Sequence, residues 1–353
     1  MDNKERLDYF DTLRALAIIS VVVLHSAAPL LYEFNKITKF DWQIANIYDS
    51  LTRWCVPIFL MISGYLNINS SHKPSVFYKK RFTKIVIPFT FWAIFYYLFL
   101  LYLNPNIYLF HELSNLNTYT SFLKQMAFGP VYYHLWFVYA IIILYLLNPI
   151  LKKWLSRISM RTISFLVIAY FVLISINNIV NMKFGIGFNT SGLAISVGYF
   201  VYGSLFIGYY LLGYLLGQIK RVNMTLLNSI GLTSLVITIV GTYILTANND
   251  GIFNAFFYHY LNFNTVVVSV WIFLFFKVSN PKNNVLIKNI SKYSFGIYLV
   301  HVFIIDFLNK FDFNVMFISP IIGIPLFTIL IIVLSYIIVW ILSKIPIVKA
   351  IVP

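Results

Sequence analysis

Arg14 and His25 stand eleven residues apart in the first apolar stretch, Asp11-Thr12-Leu13-Arg14-Ala15-Leu16-Ala17-Ile18-Ile19-Ser20-Val21-Val22-Val23-Leu24-His25. At about 100° and about 1.5 Å per residue, a helix would project both from one face, about 16 Å apart along its axis. An imidazole is the usual general base near neutral pH. Set among Ala, Leu, Ile and Val in a membrane, it costs about 3 kcal/mol or more unless it meets a partner or a wet cavity. One stripe would therefore carry a cation at a membrane boundary and a proton-transfer group near mid-bilayer. In a later apolar stretch His301 follows Lys292 by nine residues, which sets it at a similar depth, and Tyr298 shares its face one turn earlier. His25, His301 and Tyr298 are the expected catalytic group, with a helix-packing hydrogen bond as the alternative for each histidine.

Three further clusters can meet a ligand. Tyr132-Tyr133-His134-Leu135-Trp136-Phe137 lies near the outer end of a span, where His134 and Trp136 could touch a substrate, although an aromatic belt explains much of the run. In Phe77-Tyr78-Lys79-Lys80-Arg81-Phe82-Thr83-Lys84, ordinary loop charge accounts for Lys79 and Lys80. Arg81 and Lys84, one turn apart, would with Arg14 make a cationic rim able to hold a multiply phosphorylated ligand. Asp49 and Arg53, spaced i,i+4, read first as an ion pair inside the bundle, and Arg53 is counted as a substrate contact beside His134 and Trp136. Asp306 is the only other acid in a span. Ser63-Gly64 permits close helix approach. With Cys55 the one cysteine, no disulfide within the chain and no thiolate metal site can form, and no metal is expected.

These residues must be positioned by membrane helices. Of 353 residues 60% are hydrophobic and 10% charged, too apolar for a soluble fold to hide. The expected fold class is all-α, a polytopic integral membrane protein of ten spans forming a single membrane-embedded domain over 1–353. The spans fall near 13–31, 46–66, 85–103, 133–150, 160–181, 194–217, 226–246, 260–277, 290–309 and 316–343. Asn262-Phe263-Asn264 interrupts the eighth at its outer turn. The net charge of +15 does not mark a nucleic-acid binder, because the basic residues are dispersed through short loops. With the N-terminus inside, 20 Lys and Arg fall in inner segments, while Lys36, Lys39, Lys124, Lys183 and Lys310 fall outside, so both termini are expected to be cytoplasmic. His25-Ser26-Ala27-Ala28 loosely imitates a signal-peptide cleavage site, but Arg14 and His25 interrupt the apolar run, which reads as a retained first span. The longest loop, about 104–132, carries Asn104-Pro105-Asn106-Ile107-Tyr108 and an expected interfacial helix over 121–128; it could cap an acceptor site.

Taken together, the motifs resemble the acyltransferase-3 family of multi-spanning membrane acyltransferases, which modify bacterial surface glycans using acyl-CoA. The family's Arg and His of the first helix fall on Arg14 and His25, and its Pro-x-Phe-x-x-x-Ser-Gly on Pro57, Phe59, Ser63 and Gly64. Its basic pair falls on Arg81 and Lys84, its His-Leu-Trp-Phe on His134 to Phe137, and its late Ser-x-x-Ile-Tyr-Leu-x-His on Ser294, Ile297, Tyr298, Leu299 and His301. The match runs essentially end to end. The second basic position is commonly Arg; Lys84 keeps the charge and loses the bidentate fork.

The resemblance implies an O-acyltransferase of the bacterial cytoplasmic membrane. Acyl-CoA, with acetyl as the group the family suggests, would enter from the cytoplasm with its phosphates against Arg14, Arg81 and Lys84. A glycan or lipid-linked glycan would arrive from outside past His134 and Trp136, and His25 would deprotonate its hydroxyl. Direct transfer and a transiently acylated His25 are both open. The rival reading is a glycan or lipid-linked sugar exporter; such transporters commonly show internal repeats with paired broken helices, and no repeat is evident here.

The charge asymmetry fixes a topology that labelling can read. Single cysteines placed by Lys73→Cys, Arg157→Cys and Lys282→Cys should be shielded from impermeant thiol reagents in intact cells, whereas Lys36→Cys and Lys310→Cys should react. Labelling at position 73 in sealed cells would reverse the orientation.

Overall fold

A computed structural model describes residues 8–103, 122–123, 126–190 and 198–353. The expected segment Asn104 to Tyr108, His111, and residues 121, 124 and 125 of the expected interfacial helix lie outside these; the rest of that helix, Phe122, Leu123 and Met126–Phe128, is helical. Among the described residues there is no β-strand, and ten helical spans are long and apolar enough to cross a membrane. The chain is an all-α polytopic membrane protein.

The helices are α1 (Asp8–Leu31), α2 (Lys39–Ser50), α3 (Cys55–Ile68), α4 (Pro74–Arg81), α5 (Ile87–Leu103), α6 (Trp136–Leu155) and α7 (Met160–Phe184). They continue with α8 (Tyr199–Ser204), α9 (Ile207–Gln218), α10 (Met224–Ala247), α11 (Phe263–Ser279), α12 (Val285–Asn309) and α13 (Pro320–Lys344). Side chains and prolines set many of the boundaries. The hydroxyl of Thr38 accepts from the Asp41 amide, and Ser159, Asn223 and Asn284 cap α7, α10 and α12 in the same way. Pro74 and Pro320 occupy first turns, where a missing N–H costs nothing.

Four spans differ from the sequence expectation. The second is not one helix but α2 and α3, broken over residues 51–54 where Asp49 and Arg53 pair. The break also starts the span earlier, so that Lys39 opens a helix instead of lying in a loop. The third begins at Pro74, so Lys79, Lys80 and Arg81 are themselves helical, and a π-helical turn over Phe82–Val86 leads into α5. The sixth is divided at Leu205–Phe206. The eighth opens with a 3-10 turn at Phe256–Tyr258, and Asn262 precedes α11, so the amide-rich stretch serves as a helix start.

The bundle is built around α1 and α12. In the spans holding them 61% and 72% of the apolar window is buried, against 28% in those of α7 and α10, which face lipid. Three hydrogen bonds lock their beginnings together. Thr12 Oγ1 donates to Asn283 Oδ1 at 2.6 Å, Asn283 Nδ2 to the Asp8 carbonyl at 2.5 Å, and Ser291 Oγ to Asp11 Oδ1 at 2.7 Å. Trp92 Nε1 donates to the Ile351 carbonyl at 3.0 Å, and Pro353 lines the same cavity as Arg14, so the chain returns to the end of the bundle where α1 begins.

Gly64 explains how α3 meets α9. A Cβ there would run into the Tyr210 carbonyl, and one on Gly213 into that of Met61, so each helix presses backbone against backbone at a glycine of the other. Gly64→Ala should therefore cost about 1 to 3 kcal/mol by overpacking, read as a lower melting temperature in detergent. Ser63→Ala, whose position lines a cavity, should leave it nearly unchanged.

Candidate active site

Three imidazoles meet inside the bundle. His25 on α1 and His301 on α12 have ring centroids 5.3 Å apart, and His134 lies 5.5 Å from His301. The sequence placed His25 and His301 at one depth, and the α1–α12 lock accounts for it. His134, expected near the outer end of its span as a substrate contact, sits in a 3-10 turn over Tyr133–Leu135 just before α6, and its ring turns inward to complete the cluster.

Aromatic rings wall the cluster. Tyr96 packs against His134 at 4.8 Å, Tyr133 against His25 at 5.4 Å, and Tyr298 against His134 at 5.5 Å and His301 at 5.9 Å. Tyr96 is itself fixed: its hydroxyl donates to the Leu299 carbonyl at 2.7 Å and accepts from the Phe303 amide at 3.1 Å. The Tyr298 hydroxyl donates to the His134 carbonyl. Its proton is thereby committed to the backbone, and Tyr298 tethers α12 to the His134 turn.

The hydrogen-bond pattern assigns one tautomer. His301 Nδ1 lies 2.7 Å from the Tyr298 carbonyl, which can only accept, so Nδ1 carries the proton and a neutral His301 offers Nε2 as a lone pair. That Nε2 is buried without a partner, as are both ring nitrogens of His134. His134 and His301 are 2% and 0% exposed, whereas His25 keeps some open surface. His25 is thus the least buried member of the cluster.

At the end where α1 begins, a cavity of about 870 Å³ opens between α1, α3, α6, α12 and the π-helical turn. Arg14, Arg81 and Lys84 all line it, so the cations expected to share a rim do so. The wide turn after Arg81 brings Lys84 to the wall; π-helical turns are often found at functional sites. Arg81 donates to Asn67 Oδ1 and lies over the rings of Phe77 and Tyr145 at 5.6 and 5.2 Å. Arg14 pairs with Asp11 at 3.5 Å, and Asp11 also accepts from Ser291, so its guanidinium is held in place. Lys288 and Lys292 add two cations from the first turns of α12. Sequence reasoning counted them only as topological charge; their i,i+4 spacing puts the two on one face of α12, a different face from that of His301. The cavity narrows inward to Phe59, Ser294, Phe137 and Tyr298. Tyr298 is three residues, about 4.5 Å of helix, short of His301.

The opposite end carries a second cavity of about 430 Å³, lined by Arg53, Tyr202, Tyr258, Tyr260, His259 and an array of amides that includes Asn178 and Asn262. Arg53 pairs with Asp49 through Nε and Nη2, as its spacing suggested, and its guanidinium lies 4.2 Å over the Tyr258 ring. Asp49 is fully buried, so this pair holds the helix break open toward the cavity. Trp136 does not line the cavity but backs it, packing on Tyr202 at 5.9 Å and Tyr260 at 5.6 Å. Its neighbour Phe137 faces the other way, onto the cationic cavity and against Tyr298 at 5.5 Å. Consecutive residues at the start of α6 therefore stand between the two cavities.

The other candidates are accounted for locally. Asp306 accepts from the Tyr132 hydroxyl at 2.5 Å. Cys55 is a buried free thiol. Amides and tyrosines of the second cavity come from several segments with no motif among them, and the Asn177-Asn178 and Asn262-Phe263-Asn264 runs were the only sequence signal available.

Among known families, the acyltransferase domain (Acyl_transf_3) matches residues 7–343. No curated protein and no solved structure matches the chain.

Proposed function

The chain belongs to the acyltransferase domain family, and on that premise we propose that this membrane acyltransferase moves an acyl group from acyl-CoA to a hydroxyl of a cell-surface glycan or its lipid-linked precursor. The observation that carries the reading is the cationic cavity. Arg14, Arg81, Lys84, Lys288 and Lys292 ring a space that runs inward to Tyr298 beside three clustered imidazoles. A nucleotide with several phosphates matches such a rim, and its slender pantetheine arm suits the inner part of the cavity between α3, α6 and α12. The cationic end is the cytoplasmic one on this reading, consistent with the excess of Lys and Arg in its loops, and the protein sits in a bacterial cytoplasmic membrane.

The second cavity receives the acceptor. Amide side chains that both donate and accept suit sugar hydroxyls, and the faces of Tyr258, Tyr260 and Tyr202 suit the apolar faces of pyranose rings. Arg53 and Trp136 frame its inner wall, and movement of Trp136 or of the Phe137–Tyr298 contact joins the two chambers.

In the transfer step the acceptor hydroxyl attacks the thioester carbonyl carbon as His25 removes its proton. The tetrahedral intermediate then expels the CoA thiolate, which takes the proton back from His25. His301 Nε2 is buried without a partner and its ring centroid lies 5.3 Å from that of His25; a rotation of either ring that turns the two nitrogens to face each other lets it accept the N–H of His25 and leaves the opposite nitrogen free as the base. His134 packs the far side of His301 and fixes its ring. No metal enters this scheme. Our choice of acetyl as the acyl group rests on the resemblance we read between Trp42-Gln43-Ile44-Ala45-Asn46 and Val131 to Phe137 and stretches of the enterobacterial common antigen O-acetyltransferase.

Two variants test the halves of the scheme. Charge-assisted phosphate contacts are worth about 1.5 to 3 kcal/mol each, so Arg81→Ala should weaken acetyl-CoA binding about ten- to a hundredfold in calorimetry; unchanged affinity would return the cluster to simple loop charge. His25→Gln should lower transfer to a glycan acceptor about 10² to 10⁴-fold while acetyl-CoA affinity and detergent monodispersity hold. Retention of more than about a tenth of wild-type transfer, a loss below the general-base range, would move the base to His301.

A further inference from the structure

Beside the second cavity, on the membrane-facing side of the bundle, lies an apolar hollow. A lateral groove of about 460 Å³ lies between α7, α10 and α11, walled by Ile179, Ile230, Ile237, Phe257, Phe263 and Val267, with no charged residue along it. Ile179, Ile230, Ile237 and Phe263 are each about half exposed, as lipid-facing side chains are. Ser229 and Thr233, one turn apart on α10, are small enough to leave the hollow between them and α11. Along α10 it runs from Ser229 to Ile237, about 12 Å of helix within the span.

Groove and polar cavity share two wall residues, Phe256 and Asn262. Asn262 is a fixed partition: its Oδ1 accepts from Asn178 Nδ2 at 2.7 Å and its Nδ2 donates to the Phe256 carbonyl at 2.6 Å. One side of this pair is lined by amides and tyrosines and the other by aliphatic side chains. The two hollows thus offer a polar and an apolar surface on either side of one thin wall.

We propose that the groove holds the hydrocarbon chain of a lipid-linked saccharide whose sugar occupies the polar cavity, so that the acceptor enters sideways from the bilayer. This rests on the reading of that cavity as the acceptor site. A free glycan would have no use for an apolar side entrance. A chain leaving bulk lipid for a groove gains little, because lipid tails are as apolar as the wall. Selection therefore falls to the headgroup, and the groove fixes the depth at which the sugar is held. Among the described residues Arg53 is the one Lys or Arg on either wall, and Asp49 already balances it. A cavity of this charge suits hydroxyls and amides over the headgroup of a common phospholipid.

The test uses the full chain in nanodiscs and two photoreactive probes, a farnesyl glycoside of N-acetylglucosamine and a phosphatidylethanolamine, each with a diazirine in its chain. The glycoside should label peptides of α7, α10 and α11, and excess unlabelled glycoside should suppress this while free N-acetylglucosamine should not. Filling the groove by Ile237→Trp, or from its other edge by Thr233→Phe, should cut that labelling at least tenfold and leave acetyl-CoA binding unchanged. Equal labelling and equal competition by phosphatidylethanolamine, or labelling indifferent to both substitutions, would make the groove ordinary lipid surface and overturn the proposal. Acetyl-CoA binding reports the acyl-transfer reading separately. A protein that binds acetyl-CoA but fails the labelling test loses only this inference; one that passes it without binding acetyl-CoA keeps the lipid site and loses the transfer chemistry.

Discussion

The structure depends on the expense of holding three imidazoles in a medium that solvates none of them. A polar group buried without a partner costs on the order of 1 to 3 kcal/mol, and His134 and His301 together leave three ring nitrogens in that condition. Much of the surrounding construction limits the damage. Tyr96 bonds to α12 at two backbone sites, Tyr298 ties that helix to the turn carrying His134, and Asp11, Thr12 and Asn283 pin the start of α1 to the approach of α12. Such a cluster is costly to keep for packing alone and useful for moving a proton.

A second polar commitment lies at the break between α2 and α3. Backbone in the hydrocarbon region must be satisfied internally, and here Leu51 and Thr52 amides reach back to Ile47 and Asp49 while the Trp54 indole caps the Leu51 carbonyl at 2.7 Å. The Asp49–Arg53 pair sits in this interruption and turns a guanidinium onto Tyr258 instead of toward lipid. A continuous helix would carry the same residues but close the space they now border. The break, the 3-10 turn at Phe256 and the π-helical turn at Phe82 all fall on the margins of the two cavities, and the 3-10 turn at Tyr133 carries His134 into the imidazole cluster.

Hydropathy made the ten spans legible because a membrane helix must be apolar over its full crossing. Helical periodicity made the Arg14–His25 stripe legible for the same reason: the pattern is local. Arg81 and Lys84 could be joined to Arg14 because all three lie in approaches to helices that begin at one end. What could not be read depends on residues distant in sequence. His134 joins His25 and His301 only because a short turn redirects it inward, and no periodicity encodes that turn. Lys288 and Lys292 were visible as charges, but that they face the cavity follows from the docking of α12 on α1. The amide-rich cavity draws on the end of α7, the Asn189–Thr190 stretch and the segment before α11, none of which carries a spacing that identifies it alone.

Trp136 and Phe137, side by side on one stretch of backbone, face opposite ways, Trp136 against the tyrosines that line one cavity and Phe137 into the other. A protein that opens a water-accessible space from each face of a membrane must also remain an electrical insulator, since a continuous wet path would drain the cell's ion gradients. Along this route the insulating thickness is that of a few aromatic side chains, not of a bilayer. The same rings that divide the two cavities are then what holds the voltage. How far they can swing to let a reaction proceed is limited by how much leakage a cell can tolerate during one turnover.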